Sequence, residues 1–142
     1  MNVLREQMRN FLSTNRVGVL TISGMEGTWA MPVRYRVENL ELDCLVPRWA
    51  DIAYHVELHP GVLMVILSVF LSPKDPLRWL QYKGNARPVT SPDWSGLLPQ
   101  SASEAIAKDM YLVLRVVPER IDLLDESRGW GARETLEIEG NT

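Results

Sequence analysis

Residues 28–37, TWAMPVRYRV, alternate along their whole length. Trp29, Met31, Val33, Tyr35 and Val37 fall on one side, with Arg34 and Arg36 on the other. A period of two belongs to a strand with one buried face; a helix would repeat every 3.6 residues. A second alternating run follows a turn at Glu38 and Asn39, setting Leu40, Leu42, Cys44 and Val46 against Glu41 and Asp43. If those two turn residues close a tight hairpin, Arg36 stands opposite Glu41 and Arg34 opposite Asp43. Such pairs contribute only about 0.2–1 kcal/mol each but help fix the register. Pro32 has no amide to give a ladder, so it marks an edge, a bulge or an unpaired stretch.

The rest of the chain follows the same logic. Leu4, Met8, Phe11 and Leu12 recur at helical spacing and predict an amphipathic helix over about 2–14. VGVLTIS (17–23) is a strand ending in the turn GMEG. A short helix is expected over about 51–58, with Asp51 as its N-cap. GVLMVILSVFL, from Gly61, falls short of the roughly 20 residues of a membrane helix and reads as a buried strand. LRWLQYKGNARPV is a long strand bent at Gly84, and TSPDWSGLLPQ is loop. Ser101 and Glu104 form a capping-box signature for a helix through about Asp109. MYLVLRVVP and ERIDLLDE are the last clear strands, before a C-terminal loop over about 126–142 with room for one short strand.

Five to seven strands, few helices and no strand–helix–strand alternation argue for a mostly β (α+β) antiparallel barrel. At 142 residues, one domain spanning 1–142 is expected. A formal charge of −3 gives no general attraction to nucleic acid or anionic membrane, so neither is expected as a partner. Cys44 is the only cysteine, which excludes an internal disulfide and points to a reducing, cytoplasmic setting. Arg5, Glu6 and Arg9 interrupt the apolar residues that a signal peptide would need at the N-terminus.

Both histidines lie in HVELH, four positions apart. On a helix that spacing can bind zinc, but Glu57 is two residues after His55, about 200° around the helix, and would point away from the metal. Pro60 also disfavours helical geometry at His59, so no metal site is expected. Gly18, Gly24 and Gly27 sit on a strand and its turn, where no phosphate loop belongs. No serine has the Gly-x-Ser-x-Gly context of a hydrolase nucleophile. Five tryptophans (Trp29, Trp49, Trp79, Trp94 and Trp130) can serve core or interface, and one or two could cover a flat aromatic ligand.

The order of these segments resembles the pyridoxamine 5′-phosphate oxidase-like family of FMN-binding split barrels, over roughly residues 5–125. The resemblance rests on WAMPVRYRV, the paired strand ending LDCLVPRW, a short helix closing in His59-Pro60 where Asn-Pro is usual, and Gly84-Asn85-Ala86 at the family's Gly-x-Ala position. It implies a six- to seven-stranded antiparallel split β-barrel that forms a homodimer, with FMN and a small-molecule ligand at the subunit interface. The flavin ring would lie along the backbone of Met31, Pro32, Val33, Arg34 and Tyr35, with the ribityl-phosphate running toward Leu45–Ile52, past Val46. Trp49 or Trp79 would supply an aromatic wall, Arg48 an anion contact and Trp130 a lid. Arg34, Arg36, Lys83 and Arg87 are further cations that could reach from neighbouring strands or the other subunit.

The chain departs from the family pattern in three places. Ala50, Asp51 and Ile52 stand where flavin-binding members carry Ser or Thr with Arg and Lys for the phosphate. Trp79 replaces a glutamine of the oxidases proper, and DESRGWGARE lacks the Arg and His that hold pyridoxal substrates, so that oxidation is not expected. The leading expectation is a flavin-dependent oxidoreductase of unknown substrate. The alternatives are a barrel that has lost FMN and serves as a binding module, and one that uses a deazaflavin or haem.

Overall fold

The computed structural model describes residues 2–68, 71–100, 102–129 and 131–138. The chain runs α1 (Val3–Thr14), β1 (Val17–Gly24), β2 (Gly27–Glu38), β3 (Glu41–Pro47), α2 (Asp51–His55), β4 (Gly61–Leu67), β5 (Arg78–Pro88), α3 (Glu104–Met110), β6 (Tyr111–Asp125) and β7 (Arg133–Glu137). The sheet order is β3-β2-β1-β4-β5-β6-β7, and β6 also pairs with β3, so the first six strands close into an antiparallel barrel. The two expected C-terminal strands are one 15-residue strand. Its first half pairs with β3 and its second half with β7, the short strand inside the expected C-terminal loop.

A register shift makes this double role workable. Lys83 pairs with Arg120 and Gly84 with Pro118, leaving Glu119 without a register partner in β5. The bulge bends both strands at the glycine expected to bend β5. A Cβ on Gly84 would run into the carbonyl oxygen of Val117, so only glycine allows this approach.

Inward positions fill the barrel with Leu20, Ile22, Leu42, Cys44, Met64 and Ile66, among others. At roughly 1.5–3 kcal/mol per buried aliphatic or aromatic side chain, this alternation supplies most of the driving force. α1 closes one mouth with Met8, Phe11 and Leu12. The Tyr35 hydroxyl donates to the Leu12 carbonyl at 2.7 Å, and the single Tyr82 hydroxyl proton is shared between the carbonyls of Leu40 and Val116, at 2.5 and 3.1 Å. Burial raises both phenols well above the usual range, so they stay neutral donors. Outside the barrel, Leu97, Trp94 and Val89 cover Leu45 and Val113.

Several local expectations need correcting. The β2–β3 turn is Asn39-Leu40, so Arg36 pairs with Asp43 and Arg34 with Leu45. Asn39 tolerates the positive φ of 60° that this turn requires, while Leu40 tucks into the core at 2% exposure. α2 ends at His55 rather than near residue 58, ahead of Pro60. Its N-cap is Ala50, which makes Asp51 the first helical residue. Ser103 caps α3, its hydroxyl accepting from the Ala105 amide. Ser101 of the expected capping box lies outside the described residues, as do Val69 and Phe70 of the long apolar run.

Candidate functional site

The site arises where β2 and β3 part. Residues 34–38 of β2 pair with β3, but β3 then diverges to follow β6 as far as the Pro47–Tyr111 pair. Among the described residues, positions 27–33 pair with β1 alone. In an antiparallel ladder, alternate residues turn their backbone groups toward and away from a given neighbour. Counting from the Gly24–Gly27 closing pair, Trp29, Met31 and Val33 bond to β1, while Thr28, Ala30 and Pro32 face the open edge. Pro32 therefore sits where β1 asks no amide of it. The Tyr35 amide donates to the Arg16 carbonyl at 3.0 Å, in keeping with this alternation.

Facing that edge is the β3–α2 corner. Residues 29–32 and 49–52 together line an open groove of about 350 Å³. Trp49 is 83% exposed beside it. Trp29 is backed by His55, the two rings stacked at 3.7 Å between centroids and 15° between planes, and Tyr54 meets His55 edge-on. His59 packs against Gly24, where an added Cβ would lie 2.7 Å from Nε2. The two histidines thus turn to different partners, and neither ring lines the groove.

The charged residues of β2 belong to its closed half. Arg36 Nη2 donates to Asp43 Oδ2 at 2.9 Å, and Arg115 Nε donates to Asp43 Oδ1 at 2.9 Å. Burial pushes the Asp43 carboxyl up, but the hydrogen bonds from Arg115 and Arg36 outweigh this and hold it below the usual carboxylate range. Arg36 Nη1 also donates to the Ser95 carbonyl, tying the 89–100 loop to the barrel. This cluster is structural.

Of the residues expected at the site, the groove brings together Met31, Pro32 and Trp49. Val33, Tyr35 and Val46 are in the core, and Arg34 is exposed next to the point where β3 joins. Arg48 donates from Nε to the Lys108 carbonyl at 2.8 Å, joining the corner to the end of α3. Trp79 lines another cavity of about 420 Å³ with Leu77, Leu124 and Ala132. Trp130 lies outside the described residues. Sequence reasoning missed Ala30, whose amide and carbonyl face the groove, and Trp29, assigned only to a buried face. The position of Pro32 and the two-residue turn at Met25-Glu26 carry the parity that singles out Ala30.

No protein-family model matches the chain, and no curated protein matches it. Solved structures do. A heme binding protein from Mycobacterium smegmatis superposes with a TM-score of 0.74 at 16% identity, over 96% of this chain and 59% of that one. A candidate pyridoxamine 5′-phosphate oxidase from Listeria innocua gives 0.64 at 20% identity, over 85% of this chain and 98% of its own. This protein is a split barrel. An FAD-binding protein from Mesorhizobium loti shares the split-barrel fold, with a TM-score of 0.65 at 14% identity over 85% and 92% of the two chains. At these identities the likeness establishes the fold alone.

A flavin ring and a flavin phosphate fit this split barrel differently. The open edge offers the Ala30 amide and carbonyl and the Pro32 carbonyl beside apolar walls, which suits a flat ring with polar rims. Among the described residues that form the opposite wall the one ionisable side chain is the Asp51 carboxylate, which does not suit a phosphate.

Proposed function

We propose that this split barrel is a flavin-binding protein, acting as a homodimer and as a flavin-dependent oxidoreductase on a small molecule, with FMN as the reference cofactor. The observation that carries this reading is the open edge of β2 facing Trp49 across the groove. The flavin, when bound, would supply the redox chemistry. The Ala30 amide and the Ala30 and Pro32 carbonyls would hold the polar rim of the ring, and Trp49 would cover one face. The Trp29–His55 stack backs the groove and helps keep water from that side. Trp79 lines a different cavity, so its contact with a flavin would come through the second copy.

The homodimer reading is supported by the outward face of β1 and β4. Val17 and Val19 are 49% and 38% exposed beside Leu63, Val65 and Pro32. Light scattering on the purified chain tests it: a dimer is expected, and Val19→Glu should shift it toward monomer. A monomeric wild type would remove the second copy.

The flavin reading is tested by titrating FMN and riboflavin while following flavin fluorescence and melting temperature. A ligand at 100 times its Kd stabilises the folded state by about 2.7 kcal/mol, which raises Tm by about 8–12 °C for a chain of this size. No fluorescence change and no Tm shift with either flavin would overturn it.

A further inference from the structure

The groove has a charge asymmetry that bears on which part of a ligand it recognises. Asp51, exposed at the start of α2, is the only ionisable side chain among the described residues that line it. The neighbouring cations do not line it. Arg48 gives its Nε to the Lys108 carbonyl, and Arg34 lies where β2 is already paired with Leu45 of β3. An anionic tail entering along the 49–52 wall would therefore meet a carboxylate, with no cation among the residues with which this copy lines the groove. A neutral ring on the β2 edge would meet backbone polar groups and apolar side chains.

We propose that the groove recognises the ring system of a flavin and gives no anchorage to its phosphate, so that its ligand class is a neutral flavin at least as much as a flavin nucleotide. This rests on the flavin reading and deepens it. Like charges at close range repel even when screened by water, and salt weakens that repulsion. A cationic phosphate site would show the opposite salt dependence, because added salt would weaken its attraction for the dianion.

The experiment titrates the full-length protein, stripped of any bound chromophore, with riboflavin and with FMN by fluorescence anisotropy, at low and at physiological salt. Riboflavin is expected to bind at least as tightly as FMN at low salt, with FMN affinity flat or rising as salt is added. Asp51→Asn should raise the ratio of FMN to riboflavin affinity by about threefold to tenfold, since removing one like charge is worth up to about 1.4 kcal/mol at a solvated site. FMN binding tenfold or more tighter than riboflavin, and weakening with salt, would overturn the proposal and leave the flavin reading standing. Binding of neither would overturn both. The salt series uses the wild-type chain, so the outcome does not depend on how the variant folds.

Discussion

Two halves of β2 meet different surroundings. In residues 34–38 the edge toward β3 is paired throughout, Arg34 and Tyr35 also meet the start of β1, and Arg36 and Arg115 converge on the buried Asp43 carboxylate. In residues 27–33 only the β1 edge is paired, and the other looks across a groove at Trp49 and the start of α2. The same alternation of large apolar side chains runs through both. What separates them is where β3 leaves, and the contrast shows how one strand can lock a barrel at one end and offer hydrogen-bonding backbone at the other.

Proline substitutions should break that contrast most sharply. Arg36→Pro would remove a ladder amide facing β3 along with one partner of Asp43, at an expected cost of about 3–5 kcal/mol in urea unfolding. Ala30→Pro, with its backbone groups on the open edge, should cost about 1 kcal/mol or less and instead lower flavin affinity. Equal destabilisation by both would refute the division of the strand.

Asp43→Ala probes the closed half next. It leaves two arginines facing each other and should cost about 2–4 kcal/mol, with flavin affinity retained. Because the folded carboxyl is held below its unfolded value, its contribution is present above about pH 4 and is lost as pH falls through the folded pKa. Asp43→Asn should therefore flatten the acid limb of the stability profile; an unchanged limb would assign the acid sensitivity to other groups.

Trp49→Ala should have the smallest effect on the fold, within about 0.5 kcal/mol, because the indole is 83% exposed. Its loss should weaken flavin binding by up to about tenfold, the value of one aromatic contact. A large loss of stability without a change in affinity would show that Trp49 serves packing instead.

Much of this architecture was legible in the sequence. The alternation in 28–37, the bend at Gly84 and the spacing of Met8, Phe11 and Leu12 each give an element whose pattern is set by burial. The hairpin turn was misplaced by one residue because charge pairing favours 38–39, which sets two arginines opposite two carboxylates, whereas the turn at 39–40 keeps only Arg36–Asp43 and puts Glu38 opposite Glu41. The positive φ at Asn39 and the burial of Leu40 outweigh that preference. The site was less legible, since it is made largely of backbone. Whether Ala30 or Met31 turns its amide and carbonyl to the groove depends on ladder parity counted from the Gly24–Gly27 pair. The role of Arg48 depends on α3, which is 60 residues away in sequence.

Amide hydrogen exchange with and without riboflavin tests the central claim most directly. Binding on the open edge should slow exchange at Thr28 and Ala30 and leave the ladder amides of Tyr35 and Arg36 unchanged. Protection confined to the cavity around Trp79, or spread equally over both halves of β2, would contradict the account.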